Sequence, residues 1–144
     1  MEAANIIEVL GGPKVLGRSV VTLHDLARLV RQGLPATSVS SLAEKLDLRG
    51  NALSEKLGIP QRTLTRRLSR HSRLTSAESD RTMRLARIYA NAVAMIGDRE
   101  KAVDWLQTPN RVLAGERPLD CLDTDLGARA VEDVLGRIAY GVYS

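Results

Sequence analysis

This chain is poor in the residues that most chemistry needs. It has one cysteine, two histidines, no phenylalanine, and four aromatic side chains in all, Trp105, Tyr89, Tyr140 and Tyr143. A lone Cys121 excludes an intrachain disulfide and leaves a thiolate zinc site without its ligands. His24 and His71 have no carboxylate or cysteine at metal-ligand spacing, so neither a metal nor a cofactor is expected. No nucleophile stands beside a base in the sequence. Gly11-Gly12 lacks the lysine and hydroxyl residue that complete a phosphate-cradling loop. Asp120, Asp123 and Asp125 do not follow calcium-loop spacing. No catalytic residue is therefore assigned, and the expectation is a protein that is not an enzyme. There is no run of 18 apolar residues and no early charged-then-apolar leader, so the expected setting is cytoplasmic, with no membrane partner. Five prolines and few alternating runs argue against sheets. A core of Leu, Val, Ile and Ala suits helices, and the expected fold class is all-α.

What the chain does have is apolar bulk and an uneven charge. Hydrophobic residues make up 44% of 144, which is enough for a core and for one domain or two small helical lobes. Residues 1–74 carry 12 basic and 6 acidic groups, net +6, whereas residues 75–144 carry 9 and 11, net −2. The first part suits phosphates and the second shows no such bias.

Helical punctuation recurs along the chain. A short helix is expected around Asn5–Leu10, stopped by Gly11, Gly12 and Pro13. Thr22 and Asp25 have the spacing of a capping box before a helix carrying Leu23, Leu26, Ala27, Leu29 and Val30 and ending near Gly33. Pro35 opens the next helix, to about Leu46, with Val39, Leu42 and Ala43 on one side. Thr75 and Glu78 form a second capping box ahead of the longest helix, Ser76–Ile96, whose apolar stripe holds Met83, Leu85, Ile88, Tyr89, Ala92, Met95 and Ile96. Gly97-Asp98 ends it. A helix over about Arg99–Leu106, a helical turn at Arg111–Leu113 and a last helix over about Leu126–Gly136, or on to Tyr140, complete the pattern. Leu119, Leu122 and Leu126 are the expected anchors of the intervening loop, and Asp120, Asp123 and Asp125 are expected to cap or solvate the last helix.

The stretch from Asn51 to Leu68 has the order of a helix-turn-helix. Ala52, Leu53 and Leu57 form an apolar face, Gly58 supplies a positive φ, Ile59 packs inward, and Pro60 opens a second helix with Leu64 and Leu68 four apart. Such a motif sets its second helix in the major groove. Gln61, Arg62, Thr63 and Arg66 lie where base contacts are expected, since arginine spans guanine O6 and N7 and glutamine pairs with adenine. Arg67, Arg70 and Arg73 suit phosphates. Arginines on one face of a short helix also describe a merely solvated surface; the order of turn and leucines favours DNA. One motif makes few phosphate contacts, so useful affinity calls for a homodimer.

The C-terminal part carries an ordered set of residues: Trp105-Leu106, Thr108-Pro109-Asn110, Gly115, Pro118-Leu119-Asp120, Asp123-Thr124, Gly127-Ala128, Val131-Glu132, Leu135, Ile138 and Tyr140-Gly141-Val142. This set resembles the toxin-binding domain of the Xre/MbcA/ParS antitoxin family, and the upstream motif fits the Xre-like arrangement of the same family. The resemblance implies a helix-turn-helix lobe over 1–74 and a toxin-binding lobe over 75–144; the first 50 residues lie outside its strong match and are read as a dimerisation region. It further implies an antitoxin encoded beside a RES-domain toxin, similar to ADP-ribosyl-transfer enzymes, that depletes NAD. The antitoxin would cover the toxin's active site, and the complex would bind operator DNA and repress its own operon. Ile138, Tyr140, Val142, Tyr143 and the terminal Ser144 are the expected toxin-facing residues, presenting an apolar edge and a carboxylate. The alternative is a stand-alone helix-turn-helix regulator; a third reading is a protein-binding adaptor that has lost DNA contact.

Overall fold

The computed structural model describes residues 2–139. Helices account for all the regular structure among them, apart from one isolated antiparallel bridge between Pro35 and Arg73. The all-α expectation holds. Two compact units divide between Ala86 and Arg87, inside a continuous helix and beyond the expected boundary at 74/75.

In the first unit, α1 (Glu2–Val9) buries Ile6, Ile7 and Val9. It starts earlier than expected, and Pro13 begins a further turn, α2 (Pro13–Leu16), where only a stop was expected. The reason is that a proline at the first helical position lacks only an amide that would go unsatisfied there anyway. Thr22 caps α3 (Leu23–Gln32) as read from the sequence: its hydroxyl accepts from the Asp25 amide at 3.1 Å, and the Asp25 carboxylate accepts from the Thr22 and Val21 amides at 2.9 Å each. Leu26 and Leu29 face the core, but Leu23, expected beside them, is 50% exposed. α4 (Thr37–Leu46) buries Val39, Leu42 and Leu46. It begins after Pro35 because Pro35 lies in a clasp between residues 33–36 and 72–74. There the Leu74 amide donates to the Leu34 carbonyl at 2.8 Å, the Ala36 amide to the Ser72 carbonyl at 3.0 Å, and the Leu34 amide to the buried Ser79 hydroxyl at 2.8 Å. Gly33 (φ +99°) is required in this clasp, since a Cβ there would run into the Leu74 carbonyl oxygen.

α5 (Asn51–Leu57) and α6 (Gln61–Ser69) follow, then α7 (Ser76–Ile96), the helix within which the units divide. The expected box forms at its start: the Glu78 amide donates to the Thr75 hydroxyl at 3.1 Å, and the Glu78 carboxylate accepts from the Thr75 amide at 2.9 Å.

The second unit contains the end of α7, α8 (Arg99–Gln107), two 3-10 turns (Arg111–Leu113 and Pro118–Cys121) and α9 (Asp125–Ala139). Leu85, Ile88, Tyr89 and Ala92 of α7 are buried as the stripe predicts, while Met95 is 40% exposed. Asp98 caps α8 by accepting from the Lys101 amide at 2.8 Å. α9 buries Ala128, Val131, Val134 and Leu135, and the Arg87 guanidinium reaches Glu132 at 3.2 Å to tie α7 to α9. Two expectations change. Leu126, read as an anchor, is 74% exposed, while Leu119 and Leu122 are buried; Leu126 falls in the first turn of α9, on the side away from the buried Ala128-Val131-Leu135 row. The cap of α9 is Thr124, whose hydroxyl accepts from the Gly127 amide at 3.0 Å, while Asp120 instead grips Arg117 through two hydrogen bonds of 2.7 and 3.0 Å.

Candidate nucleic-acid and partner interfaces

The turn between α5 and α6 has the geometry its residues dictate. Gly58 is left-handed (φ +65°), Ile59 is buried and its amide donates to the Ser54 carbonyl at 3.1 Å, and Pro60 precedes the first turn of α6. The side chain of Arg81, from α7, donates to the Leu57 carbonyl at 2.5 Å. This places a cation on the C-terminal end of α5, where the helix dipole favours it. Leu57, Ile59 and Leu64 are buried and Leu68 half-buried, so the opposite side of α6 faces solvent.

That solvent side carries Gln61, Arg62, Arg66 and Arg70, all exposed, with Thr63 half-buried at its edge. Among the described residues, no hydrogen bond or ion pair engages the side chains of Arg62, Arg66 or Arg70, although the Ser69 hydroxyl donates to the Arg66 carbonyl at 3.0 Å. Thr65 and Ser69 are exposed on the same side. Sequence reasoning did not single them out, although Thr65 stands four residues after Gln61 and Ser69 three after Arg66, the spacing that shares a helix face. Two of the seven expected contacts are otherwise engaged. Arg67 is 17% exposed and forms an ion pair with Glu78, itself 12% exposed. Arg73 donates from Nη1 to the Gly33 carbonyl at 2.7 Å. The face left to meet a polyanion is thus narrower than the arginine count suggests: three guanidiniums in free fork geometry, with an amide and two hydroxyls between them.

In the second unit, Ile138 lies half-buried near the end of α9; Tyr140, Val142, Tyr143 and Ser144 lie outside the described residues. Leu106, Leu113, Leu119, Leu122 and Leu135 form the interior. Trp105 is half-buried against it, with Nε1 shielded from solvent and without a hydrogen-bond partner among the described residues. Val112 and Leu126 are exposed apolar side chains. Burial raises the Cys121 thiol above its ordinary pKa, with Glu116, Asp120 and Asp123 adding to the shift, so the thiolate a nucleophile needs is disfavoured. Among the described residues no three His, Cys, Asp or Glu side chains converge as metal ligands, and no helix is long and apolar enough to cross a membrane.

The sequence pattern of the antitoxin Xre-like helix-turn-helix domain matches residues 25–87. That of the antitoxin Xre/MbcA/ParS C-terminal toxin-binding domain matches residues 91–141. A protein named Antitoxin Xre from Photorhabdus laumondii subsp. laumondii is 33% identical over 120 residues, 83% of this chain and 81% of its own length. The chain belongs to the Xre antitoxin family. Two further Xre antitoxins are similar over shorter spans. The one from Yersinia enterocolitica is 42% identical over 88 residues, 60% of each chain. The one from Pseudomonas putida is 43% identical over 83 residues, 58% of this chain and 52% of its own. The two domain matches meet close to the division between the units, and α5, α6 and their turn lie wholly inside the first.

Proposed function

We propose that this Xre-family protein is a type II antitoxin with divided labour. Its second unit binds and neutralises a RES-domain, NAD-depleting toxin in the cytoplasm by covering the toxin's active site. Its first unit binds operator DNA and represses the operon. The observation that carries the reading is the succession of the two domain matches along one chain, the first of them containing an exposed guanidinium face on α6. On that face Gln61, Arg62 and Arg66, with Thr63 at the edge, read base edges, and Arg70 holds a phosphate. Three free arginines neutralise too few phosphates for tight binding by one copy, so a homodimer on a two-fold operator follows.

On the toxin side, Ile138 and the residues after it, Tyr140, Val142, Tyr143 and Ser144, supply the toxin-facing surface, whose aromatic and apolar side chains are what an interface core favours. Deleting residues 141–144 tests this half of the proposal. Co-expressed with the toxin, the truncated chain is expected to let NAD fall and growth stop while its DNA binding persists. Full neutralisation by the truncated chain would remove the tail from the mechanism.

A further inference from the structure

We propose that Arg67 is a positioning residue for the DNA-reading helix and contacts no phosphate. The inference rests on the DNA-binding reading above and refines which arginines carry it. Arg67 and Glu78 are both largely withdrawn from solvent and are paired with each other. Glu78 is not free to follow Arg67 outward. Its carboxylate also accepts from the Thr75 amide, and its own amide donates to the Thr75 hydroxyl, so it is fixed in the first turn of α7. The Arg67 backbone is held too, because its carbonyl accepts from the Ser72 amide at 3.0 Å and from the Ser72 hydroxyl at 3.3 Å. The pair therefore pins the last turns of α6 to the start of α7. On the far side of the turn, Arg81 of α7 holds the end of α5 through the Leu57 carbonyl. Both helices of the motif are thus referenced to α7, one by each of two arginines.

Electrostatics points the same way. Swinging Arg67 to a phosphate would strand a shielded carboxylate close to a polyanion, and breaking a withdrawn pair is costlier than leaving an exposed arginine unused. The pair is neutral as a unit, so it displaces no counterion from DNA. Arg70, exposed three residues further on, displaces one.

Counterion release makes this measurable, because log K falls against log salt with a slope of about −0.9 per phosphate neutralised. Binding of the full chain to duplex from its own promoter and to a scrambled duplex of equal length is titrated across salt. Arg70→Ala serves as the phosphate reference, alongside Arg67→Met and the double variant Arg67→Met/Glu78→Gln, in which Gln keeps the cap of α7 and no unpaired charge remains. The reference is expected to flatten the slope by about 0.9. Arg67→Met is expected to keep the slope and the scrambled-duplex affinity but to lower the promoter-to-scrambled ratio by roughly tenfold, the cost of about one misplaced base contact. The double variant is expected to recover most of that ratio. A merely stabilising role would reduce the active fraction and move neither slope nor ratio. A slope flattened by about 0.9 in Arg67→Met would make Arg67 a phosphate contact and overturn the inference while leaving the DNA reading intact. An unchanged ratio in Arg67→Met, or no recovery in the double variant, would overturn it as well. A wild-type chain without salt-dependent DNA binding would overturn both.

Discussion

Two glycines in α9 are predicted to respond to the same substitution with opposite sign. In a helix interior alanine is favoured over glycine by about 0.8–1 kcal/mol, because glycine surrenders more backbone freedom on folding. At Gly136 nothing lies within 4 Å of the position a Cβ would occupy, so Gly136→Ala should realise that gain. At Gly127 the new Cβ runs into the Cys121 carbonyl oxygen and approaches the Cys121 carbonyl carbon and the Thr124 hydroxyl at 3.0 Å each. These are mainly backbone atoms of the turn anchored by buried Pro118 and Leu119, so α9 itself must shift. Overpacking of this kind costs about 1–3 kcal/mol, leaving a net loss of up to about 2 kcal/mol once the propensity gain is subtracted. For a chain of this size each kcal/mol moves the melting temperature by about 2–4 °C. Thermal unfolding followed by far-UV circular dichroism should therefore raise Tm for Gly136→Ala and lower it for Gly127→Ala. A shift of the same sign in both variants would refute the close packing of α9 on the Pro118–Cys121 turn.

Other outcomes follow from the two units. Replacing Arg62 and Arg66 together with alanine should abolish promoter binding in a mobility-shift assay and spare co-purification with the toxin; loss of both with an intact fold would contradict the division of roles. The Cys121 thiol, raised by burial and by neighbouring carboxylates, should react with a disulfide reagent at neutral pH more slowly than a free cysteine does, and a faster rate would contradict its placement. The amides of Thr22 and Val21 hold the Asp25 carboxyl below its ordinary value of 3.8. Its contribution to stability is therefore present above that value and lost as pH falls through the lowered folded-state value. The Tm difference between wild type and Asp25→Ala should accordingly be full at neutral pH and shrink in acid; a constant difference would mean that the charge is not what Asp25 supplies.

Local signals proved legible where one turn of chain contains the whole interaction. Thr22 with Asp25 and Thr75 with Glu78 are three residues apart, and both boxes form. Gly58 needs only its own φ. The buried row of α9 follows from periodicity alone. What escaped depends on partners distant in sequence or on competition between two roles. Glu78 reads as a cap, and nothing in its spacing shows that it also holds Arg67. Arg73 reads as a surface cation, but its acceptor is the Gly33 carbonyl, 40 residues earlier. Leu23, Met95 and Leu126 fit an apolar pattern and yet lie at helix ends, where the last turn outruns the surface it packs on. Thr65 and Ser69 carry no charge to mark them in the sequence, although helical spacing alone places them beside Arg62 and Arg66.

Co-producing this chain with the protein encoded beside it, purifying the two, and following NAD consumption with and without the antitoxin decides whether the second unit neutralises a toxin. A stable complex and suppressed NAD loss are expected. No complex and unchecked NAD loss, with promoter binding intact, would contradict toxin neutralisation and leave a stand-alone transcriptional regulator.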